Sequence, residues 1–228
     1  MIGIFDSGVG GLTALSEVRR LMPTADVLYL ADRENAPYGT KCEEEILSAS
    51  KKCIARLRSE GADKILIACC TASTLYPRLS SWEQSLCVPI ILPAARAAIK
   101  ATVNGRIGVI ATRATVRSRA FSRAIAAEGF GCKVAECEAQ ALVGIVEEGA
   151  RGDTPLSDGD SETLLRILLP IRSFGADTLI LGCTHFPHLR EHIAELLPGV
   201  TLINPSLEGA LEIARLTDAD ENGRTVYL

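Results

Sequence analysis

The sequence has no excess of positive charge. Its 228 residues carry 24 Lys and Arg against 28 Asp and Glu, a formal net charge of -4, so it lacks the basic footprint of a nucleic-acid binder. Aromatic residues are scarce at 4%, beside 47% hydrophobic and 23% charged residues, an ordinary balance for a soluble α/β protein. No apolar run approaches the roughly 20 residues that cross a bilayer, and Leu164 to Ile171 is interrupted by Arg166. The opening MIGIFDSG meets Asp6 before any long apolar stretch develops, so it has neither the charged nor the apolar segment of a secretory leader. The expectation is a cytoplasmic chain with no membrane and no nucleic acid among its partners. Its length suits one sizeable α/β unit or two compact halves.

Metal and phosphate signatures are missing too. All three histidines fall in CTHFPHLREH, at His185, His188 and His192, but no H-E-x-x-H or paired C-x-x-C accompanies them. No metal and no cofactor are expected. DSGVGGLT from Asp6 to Thr13 places glycines between a strand and a helix without the G-x-G-x-x-G order or a Walker lysine. Its backbone amides suit a carboxylate as well as a phosphate. Eight cysteines are present, and without a leader, in a chain large enough to be stable unstapled, they read as thiols rather than disulfides. Cys53 sits among helix-spaced apolar residues and reads as a buried small hydrophobe, as do Cys87 and Cys132.

What is present is a run of short apolar segments, IGIF, VLYLA, ILIACC, VPIIL, IGVIA, KVAEC, TLILGC and TLIN. They alternate with helical patterns, the signature of parallel strands joined by crossover helices. Ile46, Cys53, Ile54 and Leu57 keep to one helical face, and Gly61 reads as the residue that ends that helix. A second helix is expected from Glu162 to Ser173, ending near Gly175.

Those two glycines open an internal repeat. GADKILIACCTAS starts at Gly61 and GADTLILGCTHFP at Gly175, so Cys69 and Cys183 each stand 8 residues beyond their glycine. IGIFDS from Ile2 and IGVIAT from Ile107 are a second echo. The chain reads as a duplicated parallel α/β unit. Ligands in such sheets bind beyond the carboxyl ends of the strands. If the halves face each other across a pseudo-twofold, Cys69 and Cys183 enter one cleft from opposite sides, ringed by Asp6, Ser7, Thr112 and Thr184.

Two opposed thiols suggest proton abstraction from one face of a carbon and delivery to the other, each group serving as base in one direction and acid in the other. Placement at a helix N-terminus is expected to favour the thiolate. Either thiol alone reads as a core residue; the matched register favours chemistry. His185 is placed to assist Cys183.

The motifs FDSGVGGL, PYGTK from Pro37, ACCTAS from Ala68, TRATVRS from Thr112, VEEG from Val146 and LGCTHFPHL from Leu181 together resemble the bacterial glutamate racemases of the cofactor-independent aspartate/glutamate racemase superfamily. The resemblance extends from Ile2 to about Tyr227. It implies interconversion of L- and D-glutamate, supplying D-glutamate for peptidoglycan. Matched position by position, it implies Cys69 and Cys183 as the acid/base pair, Asp6 assisting the first, and His185 with Glu147 assisting the second. It also implies Ser7, Tyr38, Gly39, Thr71, Thr112, Thr115 and Thr184 as substrate contacts. Cys70 stands at a substrate-facing position where similar racemases usually have asparagine. The first α/β domain is expected over 1–94 plus 205–228 and the second over 95–204, with the active site in the cleft between them. The expected partners are the small-molecule substrate and a second copy of the chain. Aspartate racemase or a superfamily enzyme acting on another acid is the nearest alternative, and a catalytically weak acid-binding protein is the alternative of another class.

Overall fold

The computed structural model describes residues 1–129, 131–150, 152, 154–217 and 222–228. Among these residues nine strands, Ile2–Asp6 (β1), Val27–Ala31 (β2), Lys64–Ile67 (β3), Cys87–Pro89 (β4), Arg106–Ala111 (β5), Lys133–Glu138 (β6), Thr178–Gly182 (β7), Thr201–Ile203 (β8) and Thr225–Tyr227 (β9), form two sheets. One has the order β4-β3-β1-β2-β9, the other β6-β5-β7-β8, and every pairing is parallel. The protein is thus α/β with two similar parallel sheets. β1 and β7 are buried along their whole length, because helices cover both faces and leave no side for the alternating polar residues of a half-exposed strand.

The internal repeat is visible as register. Ile2 lies opposite Lys64 in the first sheet, and Ile107 lies opposite Thr178 in the second. Read from the other edge, the second sheet runs β8-β7-β5-β6, the same neighbour order as β4-β3-β1-β2. The start of each inner strand is tied alike: Asp63 N donates to Met1 O at 3.0 Å, and Asp177 N to Arg106 O at 3.2 Å. Gly61 and Gly175 both have positive φ, 99° and 73°, the left-handed turn that ends a helix and that glycine adopts without a Cβ penalty.

Two sequence expectations need adjusting. VPIIL is strand only through Pro89, and Ile91–Ala101 is a helix; Pro93 sits in its first turn, where the missing N–H has no helical partner to lose. The helix expected from Glu162 begins at Asp158, because the Ser157 hydroxyl accepts from Asp160 N at 3.2 Å and caps it. β9 was not expected from the sequence; three residues, largely exposed, leave no apolar run to detect.

The expected domain cut at 94/95 falls inside the helix Ile91–Ala101, whose Ala94, Ala95 and Ala98 are buried. Small side chains there let it pack closely against both the helix Pro205–Leu216 and β7. The cut at 204/205 coincides with that second helix's start, where the Asn204 side chain accepts from Ser206 N at 3.0 Å.

Candidate active site

The loops at the carboxyl ends of β1, β3, β5, β6 and β7 converge on one cleft. Its walls include Ser7, Tyr38, Gly39, Cys69, Cys70, Thr71, Thr112, Glu147, Cys183, Thr184 and His185, so eleven of the thirteen residues singled out in the sequence meet there. The remaining two stand immediately behind the wall. Asp6 is fully buried under Ser7, and Thr115 closes a triangle of hydroxyls, 3.1 Å from Thr71 and 2.9 Å from Thr112, which are themselves 2.9 Å apart. The enclosed space is about 30 Å³, enough for a water or two, so a larger ligand must displace side chains or part the two walls.

Cys69 caps the four-residue helix Cys70–Ser73, its sulfur accepting from Ala72 N at 3.5 Å while its thiol points to Ser7 Oγ at 3.4 Å. Cys183 precedes only a 3₁₀ turn, Phe186–Leu189. The thiolate expected from a helix N-terminus is therefore weakly supported at both places, and burial dominates. It pushes Cys69 up to about 11 and raises Cys183 and Cys70 above the ordinary thiol range. Both thiols rest protonated near neutral pH, and each needs a local acceptor before it can act as a base.

The titratable neighbours differ between the two sides. His185 Nε2 lies 3.2 Å from Glu147 Oε1, and since a carboxylate only accepts, Nε2 carries the hydrogen. Nδ1 faces Cys183 Sγ, 3.6 Å away. On the other side, burial pushes the Asp6 carboxyl up, outweighing the pull of His185 and of the Gly8 amide. A carboxyl held in this way is more basic than an exposed one, and its charge in turn helps raise the Cys69 thiol. Asp6 also accepts from Gly8 N at 3.0 Å and from Thr184 Oγ1 at 3.3 Å, so it ties the two sides of the cleft together. Gly10 keeps that junction tight: a Cβ there would press on Thr184 Oγ1 and stand 2.7 Å from His185 Nδ1.

Of the other histidines, His192 bonds to Thr154 O at 3.0 Å, and neither His188 nor His192 lines the cleft. Sequence reasoning missed Gly8, Ala36, Pro37, Gln140 and Val143, all in the wall. The rule that ligands sit beyond strand ends would have flagged Gln140, two residues after β6. Val143 lies one helical turn before Glu147 on the helix Ala141–Glu147, so the two face the same way.

The model of the Asp/Glu/Hydantoin racemase family matches residues 13–212, and the chain belongs to that family. It is 42% identical over 207 residues to the glutamate racemase of Desulforudis audaxviator (strain MP104C), an alignment covering 90% of this chain and 74% of the relative. Among solved structures it is similar to glutamate racemase isoform RacE1 from Bacillus anthracis, with TM-score 0.88 and 33% identity over 100% of this chain and 86% of the other. It is also similar to the Francisella tularensis glutamate racemase in complex with D-glutamate, with TM-score 0.89 and 27% identity over 99% and 86%.

Proposed function

We propose that the protein interconverts L- and D-glutamate without a cofactor, by proton transfer between Cα and two thiols, and so provides D-glutamate for peptidoglycan in the cytoplasm. The observation that carries this is the pair Cys69 and Cys183, set at equivalent strand ends and lining one cleft. In one direction Cys69, having passed its proton to Asp6, takes the Cα proton as a thiolate, and Cys183 donates its thiol proton to the opposite face. Cys183 is left as the thiolate, ready for the reverse reaction, with His185 and Glu147 managing its proton. Ser7, Tyr38, Gly39, Cys70, Thr71, Thr112, Thr115 and Thr184 hold the substrate directly or through the hydroxyl triangle. The backbone amides after β1 suit a carboxylate.

In this reading the catalytic units are 1–94 plus 205–228 and 95–204, closing on the substrate from either side, and the active form is a homodimer. Among the described residues no helix is long and apolar enough to cross a membrane, which fits a substrate drawn from solution. The test is incubation of purified protein with L-glutamate, D-glutamate or L-aspartate and no added cofactor, followed by circular dichroism or chiral chromatography. Loss of rotation with glutamate and little change with aspartate is the expected result. Racemisation of aspartate alone would move the substrate to the shorter acid, and inertness toward both would refute the reading.

A further inference from the structure

Thr13 belongs to none of the roles assigned above. It stands in the first turn of the helix Leu12–Leu21, which follows β1. Its hydroxyl oxygen lies 2.8 Å from Gly10 O, the local bond that a threonine in a helix commonly makes to a carbonyl about one turn back. The same oxygen also reaches two groups far away in the chain. Thr184 O, just beyond β7 of the other sheet, is 3.2 Å away, and Ser206 Oγ, in the first turn of the helix Pro205–Leu216, is 3.0 Å away. Thr184 and Ser206 are both buried.

The hydrogens follow by counting. Each hydroxyl has one to give, and a carbonyl oxygen only accepts. Thr13 therefore turns its hydrogen toward Gly10 O and Thr184 O, and Ser206 supplies the hydrogen of the bond between the two hydroxyls. The result is a chain from Ser206 to Thr13 to Thr184 that ties two helices packed on each other to the loop after β7. What the chain grips is the stretch Cys183-Thr184-His185. Thr184 is the residue between the second thiol and the imidazole 3.6 Å from it, and its own hydroxyl donates to Asp6 Oδ1 at 3.3 Å. Neither Thr13 nor Ser206 lines the cleft, so their influence on a bound molecule passes through Thr184.

We infer that Thr13, with Ser206 behind it, is a positioning residue for the proton transfer: its hydroxyl holds the Thr184 carbonyl and so fixes where Cys183 and His185 face the cleft. The inference rests on the two-thiol reading of the site. Ser7, Thr71 and Thr112 stand on other loops, so losing the bond displaces a reacting group more than the groups that hold the substrate. The effect therefore falls on kcat rather than on KM.

The experiment measures kcat and KM on glutamate, with a urea melt, for wild type, Thr13→Val, Thr13→Ser and Ser206→Ala. Valine keeps the shape of threonine and removes the hydroxyl, whereas serine keeps the hydroxyl and removes the methyl. The expected result is a kcat lowered roughly ten- to a hundredfold in Thr13→Val, the scale of a misplaced reacting group, with KM changed by less than about threefold. Thr13→Ser should recover kcat to within about threefold of wild type, and Ser206→Ala should lower it by about three- to tenfold, since Thr13 keeps its own bonds there. A kcat near wild type in Thr13→Val, or a KM raised at constant kcat, overturns the inference. So does a Thr13→Ser as slow as Thr13→Val, because the methyl and its packing would then carry the effect. If Thr13→Val gives no cooperative melt, Ser206→Ala decides, and an unchanged kcat there overturns the inference. A wild type inert toward glutamate, or a Cys183→Ser variant at full rate, would fail the two-thiol reading instead, so the two failures are distinct.

Discussion

The half of the cleft that carries Cys69 and the half that carries Cys183 present the same thiol at the same strand position, yet different titratable side chains stand beside it. Beside Cys69 stands a fully buried carboxyl, Asp6, raised by that burial. Beside Cys183 stands an imidazole, buried itself but linked to Glu147, whose side chain is 53% exposed. Duplication accounts for the shared geometry, because β3 beside β1 and β7 beside β5 have the same register. The partners come from positions where the two repeats differ, Asp6 standing where the second has Ala111 and His185 where the first has Thr71. In the proposed mechanism one thiol exchanges its proton with an enclosed acid and the other with a relay open to solvent.

The thiols themselves separate chemistry from packing most sharply. Cys69→Ser and Cys183→Ser should each lower kcat by at least about a hundredfold in both directions, the lower end for a general acid or base. A near-normal rate in either variant, followed by circular dichroism, would break the symmetry between the halves. Next in size is the relay: His185→Asn should cost roughly tenfold or more. Glu147→Gln should cost less, since an exposed carboxylate interacts in high dielectric. If Glu147→Gln proved the more damaging variant, the solvent-facing carboxylate would be taking the proton directly.

Cys70 sharpens the first half. It is buried, lines the cleft beside Cys69, and is a weak hydrogen-bonding group. Cys70→Asn should raise kcat/KM for glutamate about tenfold, by adding an amide contact to a charged ligand, whereas Cys70→Ser should change it little. A folded but inactive Cys70→Asn would mean a pocket rebuilt around the thiol, and would favour another acid as substrate.

The smallest effect is on stability. The Cys69 thiol ionises near its ordinary value of 9.0 when unfolded and near 11 when folded. The folded state therefore holds its proton longer, and the contribution is complete below pH 9 and lost as pH rises toward 11. Two units correspond to about 3 kcal/mol at most. Urea melts from pH 8 to 11 should show wild type losing stability more steeply than Cys69→Ser; equal slopes would contradict a burial-raised thiol.

Much of the fold was legible because duplication wrote it twice. The same glycine, strand and cysteine order marks both inner strands, and helix-spaced apolar residues such as Ile46, Cys53, Ile54 and Leu57 declare their buried face. β9 was illegible because its three exposed residues carry no pattern. For the site, strand-end position located the two cysteines, whereas the place of Glu147 in the cleft had no local signal: an exposed glutamate near a helix end looks like a surface residue until His185 is placed 3.2 Å away. The helix-position argument gave burial no weight, and burial outweighs the field of a four-residue helix and a 3₁₀ turn at both thiols. Thr13 was passed over because a threonine near a helix start has an ordinary local bond, and its contacts with Thr184 and Ser206 exist only once the chain has folded.

Turnover in heavy water tests most directly whether the two halves act as separate bases. L-glutamate is converted to an early time point, and both enantiomers are separated and analysed by mass spectrometry for deuterium at Cα. Two thiols require that the product carry one solvent deuterium while recovered substrate remains protiated, because the proton leaves to one thiol and a different, exchanged one arrives from the other. Product without deuterium, or equal labelling of substrate and product from the start, would show that a single group handles both faces and would contradict the account.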